Sequence, residues 1–127
     1  MDCTCGTEMI VFAVGDYREH APGDPVALCP RCLALTAAPD STAAADPDFD
    51  RLLGSFPRGE GAVPLAVAVG LLDSLALNRR SIVALIEAAE RAGADPLLTL
   101  DRLGGSDSVD PDFDVRERRE QLEAFLE

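Results

Sequence analysis

The 127 residues suffice for one domain or two very small ones; 47% are hydrophobic but only 5% aromatic, and Trp is absent, so a core must be built mostly from Ala, Leu and Val. The 23 acids outnumber 11 bases for a formal charge of −12, and every base is Arg. That charge argues against nonspecific binding to DNA, RNA or anionic lipid, and the most apolar run, Ala62 to Leu72, is too short for a membrane span and contains Pro64 and Gly70.

Acid excess, no Lys and abundant Ala together predict a halophilic protein. At molar salt the screening length shrinks to roughly 3 Å, so a surface of like charges stops repelling itself. A GC-rich genome also favours Ala, Arg, Asp and Pro. A charge this large costs stability by self-repulsion unless salt screens it, which favours the halophilic reading. Met1-Asp2-Cys3 begins neither a basic stretch nor an apolar targeting segment. The expectation is a soluble, cytoplasmic protein, a compartment where paired cysteines favour metal over disulfides.

In chain order, Glu8 to Val14 is rich in β-branched and aromatic residues and predicts a strand. Gly15 to Pro25, with two Gly, two Pro and two Asp, predicts a loop. Val26 to Leu28 and Leu33 to Thr36 flank Cys29-Pro30-Arg31-Cys32 and fit strands entering and leaving a metal knuckle. Ala37 to Ala45 has no apolar face and contains Pro39, so it predicts a linker.

The remainder predicts helices. Asp46-Pro47 fits an N-cap and first helical residue, with Phe49, Leu52 and Leu53 inward and an end near Gly54. A central helix from Val63 to Leu77 is apolar nearly all round, and Gly70 with its Ala neighbours would let other helices approach. A third starts near Asn78 or Ser81, with Ile82, Leu85, Ile86 and Ala89 in one stripe and Gly93 as C-terminal cap. Asp95-Pro96 starts a fourth carrying Leu97, Leu98, Leu100 and Leu103, stopped by Gly104-Gly105. Asp110-Pro111 opens the last, with Val115, Leu122, Phe125 and Leu126 inward. The repeat Asp46-Pro47-Asp48-Phe49-Asp50 and Asp110-Pro111-Asp112-Phe113-Asp114 reads as one helix start used twice, since a calcium loop's Gly and terminal Glu are missing.

The chemistry lies in four cysteines, paired as Cys3-Thr4-Cys5 and Cys29-Pro30-Arg31-Cys32. A C-x-x-C turn lets two sulfurs converge on one ion, and zinc takes four soft ligands in a tetrahedron. The first pair is one residue shorter, a tighter turn that Gly6 allows. The set predicts one structural Zn²⁺ held by Cys3, Cys5, Cys29 and Cys32, with a labile disulfide or a rubredoxin-like iron site as rivals. With every coordination position taken by Cys, no place is left for a reactive water, so no catalytic residue is assigned and no enzyme expected. Arg31 inside the knuckle either offsets the excess negative charge of four thiolates or is a solvated surface residue.

His20, the only histidine, reads as a surface loop residue with no identifiable Ser partner. Arg79-Arg80 and Arg116, Arg118 and Arg119 read as partners of nearby acids, Arg119 with Glu123 at i+4 among them. No P-loop or G-x-G-x-x-G motif occurs.

The stretches M-D-C-x-C-G, A-L-C-P-R-C-L, A-V-P-L-A-V-A-V-G-L-L-D-S-L-A-L-N-R, A-G-A-D-P-L-L-T-L-D-R-L and D-P-D-F-D-V-R-E-R-R-E-Q-L together resemble a family of small haloarchaeal proteins, a domain of unknown function. The resemblance covers nearly the whole chain. It implies a zinc-binding N-terminal segment with Cys3, Cys5, Cys29 and Cys32 as ligands, a helical remainder and no assigned activity. The C-x-C pair departs from the C-x-x-C associated with that family.

The expected fold is α+β: a zinc ribbon over residues 1–36, a linker over 37–45 and a bundle of four or five helices over 46–127. The expected role is non-enzymatic, a protein-interaction or adapter module acting on a protein partner or a second copy of itself. The alternative is an accessory factor that contacts RNA or DNA in transcription or translation.

Overall fold

A computed structural model describes residues 1–126. Three short strands, β1 (Ile10–Phe12), β2 (Val26–Leu28) and β3 (Leu35–Ala37), form an antiparallel sheet in the order β1-β2-β3. Ile10 faces Leu28 and Phe12 faces Val26 across one pair; Leu28 faces Leu35 and Val26 faces Ala37 across the other. Four α-helices follow: α1 (Ala62–Gly70), α2 (Arg79–Arg91), α3 (Pro96–Gly104) and α4 (Val115–Leu126). A three-stranded sheet with a four-cysteine cluster followed by helices is the α+β arrangement expected from the sequence.

The two faces of the sheet do different work. Ile10, Phe12, Val26 and Leu28 join the main core with Leu65, Val69, Ile82, Leu85, Leu100 and Leu122. On the other side Met9, Ala27, Cys29 and Ala38 make a small cluster that Cys3 and Cys32 help cover. The central strand is therefore buried on both faces, as its unbroken apolar run requires.

Within the strand expected over residues 8–14, sheet pairing covers Ile10–Phe12 and Glu8 makes an isolated antiparallel bridge to Asp2; the strand ends where Val14 takes helical backbone and starts a 3-10 turn over Gly15–His20. The third strand starts two residues late, since Leu33 completes the knuckle in a left-handed conformation. The stretch 37–45 begins as strand and stays on the sheet. Ala38 donates its N–H to Pro25 O at 2.9 Å, and Ala44 donates to Val11 O at 3.0 Å. Secondary structure changes type across this stretch, and the main apolar core has members on both sides of it.

Helix starts were the least legible feature. The segment after Asp46-Pro47 forms only a 3-10 turn, Phe49–Arg51, although Phe49 and Leu52 are buried as expected. Asp48 there has non-helical backbone, and a segment this short cannot offset the cost of helix nucleation. Its sequence twin behaves differently. The carboxylate of Asp114 accepts the N–H groups of Arg116 at 2.9 Å and Glu117 at 3.2 Å, so α4 starts after the repeat and not at Pro111.

The central helix is shorter than expected. It ends at Gly70 and passes into a 3-10 turn at Leu72–Ser74. Gly70 does admit a close neighbour, but the neighbour is a strand residue: a Cβ there would lie 2.5 Å from Leu35 Cβ. The other signals hold. Ile82, Leu85, Ile86 and Ala89 are all buried. Gly93 at φ 95° closes α2, with Gly93 N–H donating to Glu90 O and Ala94 N–H to Ala89 O. Asp95 caps α3 by accepting from Leu98 N at 3.2 Å, with Pro96 next to it.

Candidate metal centre

The two cysteine turns meet at one end of the sheet. In the first, Cys3 N–H donates to Thr7 O at 2.8 Å and Gly6 N–H to Cys3 O at 2.9 Å. Gly6 sits at φ 92°, a conformation that a side chain would strain, so the tight C-x-C turn depends on it. In the second, Cys29 N–H donates to Ala34 O at 2.9 Å and Leu33 N–H to Cys29 O at 3.0 Å, which leads the knuckle from β2 towards β3. Cys32 N–H points at Cys29 Sγ from 3.4 Å. Leu33 closes this turn at φ 63°. A leucine there costs about 1–2 kcal/mol of backbone energy, offset by about 1.5–3 kcal/mol from its burial.

The four sulfurs of Cys3, Cys5, Cys29 and Cys32 all lie within 4.8 Å of one another. Cys3 Sγ is 3.5 Å from Cys32 Sγ, and Cys5 Sγ is 3.5 Å from Cys29 Sγ, so each short contact joins one turn to the other. Metal–sulfur bonds of about 2.3 Å in a tetrahedron put sulfurs about 3.8 Å apart, so these spacings suit one ion. They are far from the about 2.05 Å of a disulfide, and all four cysteines are free. Four thiolates in a tetrahedron suit zinc or iron. The cluster is consistent with one structural metal, and the short first pair joins it despite its spacing.

The sulfurs differ in how readily they ionise. The Thr7 hydroxyl, 3.4 Å from Cys5 Sγ, and the Thr7 main chain pull the exposed Cys5 thiol down to about 6. Burial pushes Cys32 up to about 12 and raises Cys29 as well. At neutral pH the metal-free cluster thus holds one ready thiolate and two thiols that a cation must deprotonate.

Arg31 does not turn back on the sulfurs. Its half-exposed guanidinium lies 3.7 Å from the Asp110 carboxylate, while its main-chain O accepts from Asp110 N at 2.7 Å. The solvated reading of its side chain fits, and its backbone has a role the sequence did not reveal. It ties the knuckle to the loop before α4. Thr7 was also missed, although a hydroxyl two residues after a ligand cysteine is a local signal. The Asp110 contact has no such signal, since only the folded chain brings it close.

His20 has a Ser partner after all: its Nδ1 lies 3.0 Å from Ser81 Oγ, and Glu19 lies 3.5 Å from Nε2. The pair joins the loop before β2 to the first turn of α2, and none of its members touches the cysteine cluster. The expected arginine pairings are partly present. Arg119 pairs with Glu123 and also with Asp101 at 2.9 Å, whereas Arg79 and Arg118 stack on Phe125 and Phe113. Among the described residues, no helix is long and apolar enough to cross a membrane.

No curated protein and no solved structure matches the chain. A family model does match, over residues 2–126, and on that match the chain belongs to DUF6276, a family of unknown function.

Proposed function

We propose that this protein is a non-enzymatic interaction module whose N-terminal sheet is fastened by one structural Zn²⁺, and that it works through a protein partner in a salt-rich cytoplasm. The observation that carries the reading is the closed cluster of four thiols. With Cys3, Cys5, Cys29 and Cys32 as ligands, zinc has no open position to activate water or polarise a substrate, so the metal supports structure. Three short strands hold few hydrogen bonds of their own, so such a fastening adds to the stability of the sheet.

The arginines favour a protein partner over RNA or DNA. Arg31 and Arg119 face carboxylates, which leaves fewer free cations for phosphates. The charge of −12 with Arg as the only base supports the salt-rich setting.

Elemental analysis of protein purified without added metal tests the first half of the proposal, with one zinc per chain expected. Iron, or a disulfide with no metal, would overturn it. Affinity capture from a high-salt lysate, with and without nuclease, tests the second half. Retention of RNA through nuclease-sensitive binding, with no protein retained, would transfer support to the accessory-factor reading.

A further inference from the structure

Leu77 is the most exposed large hydrophobic residue described, at 89%, and it sits in the turn before α2. Arg79 and Arg80 follow it. In a chain with more than twice as many acids as bases, neither has a carboxylate partner among the described residues. Arg79 lies over Phe125, 4.4 Å from the ring centre, and Arg80 has no such stacking contact among the described residues. The result is an apolar knob with cationic flanks.

The complementary shape is elsewhere on the same chain. A pocket of about 330 Å³ is lined by Phe49, Phe56 and Val63 together with Asp46, Asp48, Asp50 and Arg58. Only Asp50 meets a cation, Arg58 at 2.6 Å, so Asp46 and Asp48 are left without one among the described residues. The volume is at the low end of the range for small-molecule pockets, enough for one leucine side chain with a guanidinium at the rim. The pocket shares no lining residue with the turn around Leu77, so one copy can offer both surfaces.

We propose that a second copy of this chain is the occupant: Leu77 of one copy enters the Phe49–Phe56 pocket of another, and Arg79 and Arg80 meet Asp46 and Asp48. This inference rests on the interaction-module reading and makes the partner specific. Charge complementarity selects the second copy: Arg79 and Arg80, next to the knob, have no carboxylate partner among the described residues, and Asp46 and Asp48, in the lining of the hole, have no cation partner among them. Knob and hole are different patches, so the contact joins copies head to tail or as a reciprocal pair. Its small area makes the association weak and concentration-dependent.

Sedimentation equilibrium of the zinc-loaded full chain tests it in molar KCl, the salt-rich setting proposed above, where a screening length of about 3 Å still leaves ion pairs in direct contact. Wild type is expected to associate as concentration rises. The double variant Leu77→Ser with Arg80→Glu, and separately Asp46→Arg with Asp48→Arg, should each weaken association at least about tenfold. All four positions are exposed, so unchanged circular dichroism confirms that folding is intact. An equimolar mixture of the two variants should associate again, because each supplies the surface the other lacks. A wild type that stays monomeric, association that survives both variants, or a mixture that stays monomeric would each overturn the contact. The interaction-module reading fails separately, by nuclease-sensitive retention of RNA without protein, whatever the mass in the centrifuge.

Discussion

Gly70→Ala probes the joint between the sheet and the helices. Two effects oppose each other. Alanine in place of a helical glycine gains about 0.5–1 kcal/mol of propensity. Against that, the new Cβ would lie 2.5 Å from Leu35 Cβ and 3.0 Å from both Leu35 Cγ and Cδ2. Leu35 belongs to β3, and its Cβ is fixed to the backbone, so a rotamer change cannot relieve the closest contact. Overpacking of this kind costs about 1–3 kcal/mol, and a 2.5 Å contact with an atom fixed to the backbone belongs in the upper part of that range, leaving a net loss of about 1–2 kcal/mol. For a domain of this size, that lowers the melting temperature by about 4–8 °C. Gly104→Ala is the control: its Cβ would meet Arg116 Cγ at 2.9 Å, but that side chain is exposed and flexible. Its expected change is a gain of about 0.5–1 kcal/mol at most, because the same propensity applies and the arginine can move aside. Thermal melts of the two variants side by side are the assay. A Gly70→Ala protein as stable as wild type would refute the claim that Leu35 and Gly70 are in forced contact.

Three further outcomes follow from the metal centre and the charge. Zinc affinity should rise with pH, because Cys29 and Cys32 begin protonated and each proton released on binding contributes up to about tenfold per pH unit. Acidification through about 6 should weaken binding further as Cys5 takes up its proton, and chelator competition at several pH values measures the slope. Gly6→Ala meets no atom within 4 Å, so its cost is backbone strain alone, about 1–2 kcal/mol or about five- to thirtyfold in metal affinity by the same competition. If the acid excess is halophilic adaptation, the melting temperature should climb steeply between low and molar KCl, and an indifferent one would make the composition merely genomic.

The sequence was most informative where a short local pattern has only one good geometric solution. Two cysteine pairs with a strand and loop between them placed all four sulfurs around one point. The stripe in α2 with Gly93, and the Asp95-Pro96 start of α3, are likewise complete within a few residues. What failed were identical motifs with different surroundings. Asp-Pro-Asp-Phe-Asp gives a 3-10 turn at one site and a cap by its last Asp at the other. Contacts between distant segments were also hidden: His20 with Ser81, Asp110 with Arg31, and Leu35 against Gly70. Hydrophobic pattern reveals which residues are buried but not which buried residues meet.

Those distant contacts alter what metal removal should do. With a separate ribbon, losing the zinc or one of Cys29 and Cys32 would unfold the N-terminal part and leave the helical signal much as before. The packing argues for a larger effect. Ile10, Phe12, Val14, Val26, Leu28 and Leu33 belong to the same core as the helices, each at most 4% exposed. Burying six such side chains is worth about 9–18 kcal/mol as an upper bound, as much as the about 5–15 kcal/mol that stabilises a whole domain. The helices also lose the Asp110 tie to the knuckle and the Leu35 contact at Gly70. Removing the metal should therefore lower the melting temperature of the helical signal itself and bring sheet and helices into one transition. Circular dichroism in the helix band, recorded on zinc-loaded protein, on chelator-treated protein and on Cys32→Ser, is the measurement. A helical melt that stays in place when the zinc leaves would show that the shared core contributes little. It would restore a ribbon and a helical unit that fold separately.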